Sequence, residues 1–228
     1  MIMTIEQQNT KGSTIQDIPA KKSKNEPRKK KRNAREFWRA HNRSISKVIT
    51  FQSELVHRYA SRLTNSAHFS SVRLSTLMFL TSDSDELRTR LSTWYDAVKK
   101  VCEIDIANHA VQRQIFKDAI ISDIPKGRFR KPLTYRIEVT HPCCWPLISL
   151  LMAIDEEVAD YELYWLMNEM SEYEFKSVAK AYIGAFDTLI KRIDNMTFDS
   201  RDRIGGIYSV EKYNALLSEL EAKINGDK

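Results

Sequence analysis

The sequence predicts a mostly α-helical fold of the α+β class that carries a small β ribbon. Most of the chain beyond residue 43 has apolar residues spaced three and four apart, which is the repeat of one helix face. Two short stretches have strand patterns instead, and the first 43 residues are too polar and basic to bury. We therefore expect a disordered basic N-terminal arm over residues 1–43 and a single helical domain over residues 44–228, with short strands near 46–51 and 133–140.

The two strand patterns differ in kind. Ser46–Phe51 (SKVITF) is rich in β-branched residues and short enough for a strand. Leu133–Thr140 (LTYRIEVT) alternates strictly, so one face is expected in the core and the other in water. The predicted outward residues are Thr134, Arg136, Glu138 and Thr140, and the predicted inward residues are Leu133, Tyr135, Ile137 and Val139.

Helical periodicity covers most of the remaining segments. The predicted helices are Ser53–Leu63, Ser82–Cys102, Asp105–Ile121, Trp145–Met170, Ser171–Ile193 and Ser209–Ile224. The fifth begins with the form of a capping box, because Ser171 is available to cap the first turn and Glu174 follows three residues later. A loop that contains Gly205 and Gly206 is expected between Met196 and Tyr208.

A strand of six to eight residues followed by two helices is the order of elements in ribbon-helix-helix DNA-binding proteins. In those proteins, strands from two subunits pair and place their outward side chains in the major groove, so a dimer is expected here. The outward face at 133–140 suits this role, since Arg136 can bind guanine, Glu138 can accept from cytosine and Thr134 can contact a thymine methyl. Three basic residues suited to phosphate contacts lie just upstream: Arg128, Arg130 and Lys131. An ordinary antiparallel strand with polar outward residues explains the same alternation. The first-half strand is a second candidate for the ribbon, with Lys47, Thr50 and Gln52 as its polar members.

The segment from Lys21 to Lys47 is the most strongly charged part of the chain. It has twelve Lys or Arg and two acids, a net charge of +10, whereas the whole chain is +6 and the remainder is therefore −4. Charge concentrated in this way is typical of a segment that lies on a polyanion, and DNA is the expected one. A solvated tail and a patch for an anionic membrane surface are the alternatives. The predicted DNA contacts here are Arg28, Lys29, Lys30, Lys31, Arg32, Arg35, Arg39, Arg43 and Lys47.

Motifs that carry chemistry are few. His141, Cys143 and Cys144 are possible metal ligands, but adjacent cysteines rarely close on one zinc and the chain has no second Cys pair, so buried thiols at a helix start are favoured. Neither a phosphate-binding glycine loop nor a distinctive recombinase or nuclease arrangement is present. We expect no enzymatic activity, no cofactor and no metal. The acidic stretch from Asp155 to Glu162 is expected to be a solvated helix face or a contact for a partner such as RNA polymerase.

Nothing in the composition favours a membrane protein. The longest apolar run, Pro146–Ile154, is too short to span a bilayer, and the polar residues ahead of Lys21 lack the apolar region of a signal peptide. Three cysteines form no disulfide framework and fit a reducing compartment. A cytoplasmic bacterial protein that associates with the nucleoid and not with a membrane is expected.

Two segments carry a resemblance to a known family. Phe51–Leu63 (FQSELVHRYASRL) and Val139–Val158 (VTHPCCWPLISLLMAIDEEV), with the charged helix up to Ile193, resemble proteins encoded by conjugative plasmids and integrating conjugative elements. The resemblance covers roughly residues 44–193 and rests on the pattern and order of segments. It implies a DNA-binding regulator that raises the expression of other activators and acts as a dimer. The basic arm lies outside the resemblance, and its role follows from its charge.

These observations favour a transcriptional regulator that binds promoter-upstream double-stranded DNA as a homodimer, and the resemblance implies that it is an activator of conjugative transfer genes. The arm would contact phosphates and a strand would read base edges. The alternative is an accessory of the conjugation machinery that binds DNA without sequence preference or docks other proteins. A DNA-processing enzyme would need an essential nucleophile or metal ligand.

Overall fold

The computed structural model describes residues 44–119, 132–197 and 208–226. Strand β1 is Ile45–Phe51, followed by helices α1 (Glu54–Leu80) and α2 (Asp85–Ala119); strand β2 is Leu133–Val139, followed by α3 (Cys144–Leu166), α4 (Glu172–Thr197) and α5 (Val210–Asn225). The prediction of a mostly helical α+β fold with a small sheet is confirmed. One strand followed by two helices is a unit that occurs twice.

The two strands pair with each other in an antiparallel ribbon. Its register runs from Ile45 opposite Val139 to Phe51 opposite Leu133. Two candidate strands that are more than 80 residues apart in sequence therefore form one sheet. A strand from a second subunit is not required to build this ribbon, because one chain supplies both strands.

The inner face of the ribbon belongs to the hydrophobic core. Ile49 and Phe51 on β1, and Ile137 and Val139 on β2, are all buried, and the alternation predicted for β2 is confirmed. Helices α1 and α3 contact the ribbon, α4 packs against α1, α2 and α3, and α5 packs on α2. Each buried aliphatic or aromatic side chain contributes about 1.5–3 kcal/mol relative to exposure, so the ribbon's position on the helices is strongly determined.

Helix α1 is longer than predicted, because it ends at Leu80 and not near Leu63. Its second half is rich in Ser and Thr, which compete with helix hydrogen bonds and weaken the sequence signal. In the structure these hydroxyls donate back to the helix. Thr64 Oγ1 lies 2.6 Å from the carbonyl oxygen of Ala60, and Ser75 Oγ lies 2.8 Å from that of Val72. Buried hydroxyls are thereby satisfied without breaking the helix.

Other boundaries also differ from the predictions. The helices predicted over 82–102 and 105–121 are one helix, α2, as far as the structure describes them, because no Gly or Pro separates Cys102 from Asp105. Helix α3 ends at Leu166, four residues early, and Asn168 follows in a left-handed conformation with φ of 61°. The capping box before α4 is confirmed, since Ser171 N–H donates to Glu174 Oε2 at 2.9 Å. None of the helices in the described ranges combines the length and apolarity needed to cross a bilayer.

Candidate nucleic-acid interface

The outer face of the ribbon is the candidate site. Three residues of each strand point outward, and all six are exposed: Ser46, Val48 and Thr50 on β1, and Thr134, Arg136 and Glu138 on β2. The register places Val48 opposite Arg136 at the centre, with Thr50 opposite Thr134 at one end and Ser46 opposite Glu138 at the other. Such a face offers a guanidinium, a carboxylate, three hydroxyls and an aliphatic group to one ligand surface.

Two histidines of α1 hold strand β2 by its backbone. His68 Nδ1 lies 2.9 Å from the carbonyl oxygen of Glu138, and His57 Nε2 lies 3.4 Å from that of Thr134, so each ring N–H donates to the strand. Strand β2 is therefore fixed along α1 through two of its carbonyl groups, one on each side of Arg136 in sequence.

Two carboxylates of α3 hold the junction between β1 and α1. Asp155 accepts from the backbone N–H groups of Gln52 at 2.7 Å and Ser53 at 3.0 Å, and Glu162 accepts from that of Glu54 at 3.0 Å. Because these N–H groups belong to the start of α1 and would otherwise lack partners, the acids act as a helix cap supplied by another helix. The end of β1 is therefore tied to α3.

Burial dominates the titration of both acids. It raises the pKa of Asp155 to about 6, although its two backbone hydrogen bonds favour the charged form. It also raises the pKa of Glu162. The cost of burying a carboxylate is offset only where hydrogen bonds satisfy it, as both of these are. The acids are structural supports of the ribbon.

The expectation that 155–162 forms a solvated acidic face is wrong for two of its members. Asp155 is fully buried and Glu162 is 8 % exposed, whereas Glu156 is exposed. A signal was present in the sequence, because Asp155 and Glu162 lie on the same stripe as the apolar Leu151, Val158 and others. Acids on an apolar stripe indicate buried caps or ion pairs.

Of the predicted DNA contacts, the structure describes three. Thr134 and Arg136 lie on the outer face together with three β1 residues. Thr50 was predicted as a polar member of the second candidate strand, whereas Ser46 and Val48 were not predicted. Lys47 is exposed but lies on the opposite face, with its Nζ 5.2 Å from the centroid of the Trp145 ring. The remaining predicted contacts lie outside the described residues: Arg28, Lys29, Lys30, Lys31, Arg32, Arg35, Arg39, Arg43, Arg128, Arg130 and Lys131.

The cysteines next to the ribbon are buried thiols. Cys143 Sγ donates to the carbonyl oxygen of Ser71 at 3.2 Å, and His141 Nδ1 lies 3.1 Å from the same sulfur. Burial raises the pKa of Cys143 to about 12 and also raises that of Cys144, so both are protonated at neutral pH. Within the described ranges, no three His, Cys, Asp or Glu side chains are grouped to bind a metal ion.

Comparison with known proteins finds a likeness of fold and no match in sequence. Neither a protein-family model nor a curated protein sequence matches the chain. The crystal structure of AcaB from uropathogenic E. coli matches with a TM-score of 0.57, over 82% of this chain and 99% of that one, at 17% sequence identity. At that identity the match establishes the fold and nothing finer. This protein therefore has the overall fold of AcaB, with two strand-helix-helix units that share one ribbon.

Proposed function

We propose that this protein is a sequence-specific DNA-binding regulator of transcription that inserts its β ribbon into the major groove. One observation carries the proposal: a two-stranded ribbon packed on α1 and α3 presents Arg136, Glu138 and Thr134 to solvent on one face. The major groove is about 12 Å wide and admits a two-stranded ribbon. The arrangement of strand and helices supports a ribbon-helix-helix mode of binding, with the difference that one chain forms the ribbon.

The basic segments supply the phosphate contacts in this proposal. The basic residues of the arm from Arg28 to Arg43 lie just before β1 in sequence, and residues 128–131 lie just before β2. Because the strands are antiparallel, these segments join the ribbon at its two opposite ends. Basic residues that adjoin opposite ends of the ribbon in sequence would supply phosphate contacts that fix its position in the groove. Lys47 faces away from the bases and is assigned to phosphate contacts at most.

The biological role follows from the resemblance to proteins of conjugative elements. We propose that the regulated genes are conjugative transfer genes, that regulation is activation, and that the protein acts as a homodimer within the bacterial nucleoid. Because the ribbon is complete in one chain, dimerisation would place two ribbons on one operator. Exposed Glu156 remains available for RNA polymerase.

We propose that the protein acts by binding and not by catalysis. A tyrosine nucleophile must reach its substrate, yet six of the nine tyrosines are buried: Tyr95, Tyr161, Tyr164, Tyr182, Tyr208 and Tyr213.

The second candidate function, a docking accessory, is favoured by Val111 and Ile115, which are one turn apart on α2 and 61 % and 68 % exposed. Such a surface suits a protein partner.

A pair of variants of the full-length protein tests the proposal. Arg136→Gln removes a base-reading group, so we expect lower affinity for DNA from upstream of the conjugation regulatory genes and unchanged affinity for scrambled DNA. Replacing Lys29, Lys30 and Lys31 with Gln removes phosphate contacts, so we expect both affinities to fall together and the salt dependence to become shallower. Equal binding to both DNAs by the unmodified protein would support the docking accessory instead.

A further inference from the structure

The two strands of the ribbon present different chemistry. The outer face has six described residues, and its two charged ones, Arg136 and Glu138, both lie on β2. Strand β1 instead offers Val48 between two hydroxyls. The local two-fold axis of the antiparallel ladder passes between Val48 and Arg136. A rotation about that axis exchanges an aliphatic side chain with a guanidinium, so the surface is asymmetric at its centre.

Both strands belong to one chain, so no symmetry between subunits makes them equivalent. In a ribbon made from two identical subunits the strands are equivalent, and the DNA that they read is correspondingly palindromic. Building on the proposed function, we propose that one chain reads a non-palindromic segment of the major groove. Strand β2 contacts base edges by polar and charged groups, and β1 contacts an adjoining A·T-rich edge through Val48.

The size of the contacted segment follows from strand geometry. Outward residues two positions apart are separated by about 6.8 Å, which equals about two base-pair steps of 3.4 Å. Three cross-strand pairs therefore cover about five base pairs. Arg136 lies at the centre, where its guanidinium suits guanine O6 and N7, and Val48 directly opposite suits a thymine methyl.

Contacts with α1 hold β2 in place and favour β2 as the strand that reads base edges. The carbonyls of Thr134 and Glu138 are held by His57 and His68 on either side of Arg136. The Glu138 side chain is itself oriented, because Oε2 accepts from Ser44 Oγ at 3.0 Å. A carboxylate retains further acceptor positions after one such bond, so Glu138 can still accept from a cytosine amino group. Apolar contact by Val48 needs no comparable orientation.

Selection of full-length protein on a pool of random 30-base-pair duplexes tests this inference. We expect an enriched motif whose five-base-pair core is non-palindromic; a dimer would give two such cores about one helical turn apart. Arg136→Gln should lower the preference for one guanine within the core on the order of tenfold, and Val48→Ala should relax a different, A·T position. Both residues are exposed, so the variants keep the core intact.

The outcomes separate the inference from the function on which it rests. A palindromic core, in which Arg136→Gln relaxes two symmetry-related positions equally, would overturn asymmetric reading while leaving sequence-specific binding in place. Loss of preference at one and the same position in both variants would overturn the division of roles between the strands. Absence of any enriched motif would overturn the proposed function itself.

Discussion

Replacing Asp155 with asparagine removes the carboxylate that holds the start of α1, and its effect on stability should depend on pH. Burial raises the pKa of Asp155 to about 6 in the folded protein, from an ordinary value of 3.8. The folded state therefore binds this proton more tightly than the unfolded state. The resulting stabilisation is fully present below pH 3.8 and is lost as the pH rises through 6.

The size of the effect follows from the two pKa values. Between pH 7.5 and pH 5, the folded-state carboxyl gains most of a proton and the unfolded-state carboxyl gains little. The free energy of unfolding of the unmodified protein should rise by roughly 1 kcal/mol over this range through Asp155 alone. Asparagine does not titrate, so Asp155→Asn should lack this increment.

Urea unfolding followed by circular dichroism at several pH values measures the difference. His57 and Glu162 are titratable groups that interact with Asp155, and both remain in the variant, so subtraction of the two curves largely isolates Asp155. We expect the gap in unfolding free energy to widen in favour of the unmodified protein as the pH falls. A constant gap from pH 7.5 to pH 5 would refute the assignment of Asp155 as a buried cap with a raised pKa.

Three further predictions concern the ribbon, its contact with α1 and the cap of α4. Ile137→Ala should destabilise the protein by about 2–5 kcal/mol in urea unfolding, because Ile137 is buried, whereas Val48→Ala on the exposed face should stay within about 0.5 kcal/mol; similar losses would contradict the assignment of faces. Ser171→Ala should cost about 1 kcal/mol in the same assay through loss of the α4 cap, and no loss would argue against the capping box. His68→Ala should speed hydrogen exchange within β2 and leave α4 unchanged, since it frees the Glu138 carbonyl; unchanged exchange in β2 would show that His68 does not hold the strand.

The strands and most helices could be predicted from local patterns. Strict alternation placed β2 within one residue of its boundaries, and the Ser171–Glu174 spacing placed the start of α4. These signals depend only on neighbours in sequence, and local propensity agrees with the fold there. Helix α1 departs from this rule because its Ser and Thr side chains weaken a helix signal that burial restores.

The pairing of β1 with β2 could not be predicted, since no local pattern specifies a partner that is more than 80 residues away. The contribution of Val48 to the candidate site depends on that pairing and was missed with it, whereas Thr50 was predicted as a polar member of a separate candidate strand. Asp155 was misjudged for a related reason. Acidic residues usually lie in water, and only the distant N–H groups of Gln52 and Ser53 make its burial favourable.

The central claim is that the ribbon reads DNA sequence, and equilibrium binding of the full-length protein tests it most directly. Fluorescence anisotropy would compare DNA from upstream of the conjugation regulatory genes with scrambled DNA of equal length, at 50 mM and 200 mM salt. We expect both affinities to fall as the salt rises, while the preference for upstream DNA persists, because base contacts depend less on salt than phosphate contacts do. Equal affinity for the two DNAs at both salt concentrations would contradict sequence reading by the ribbon.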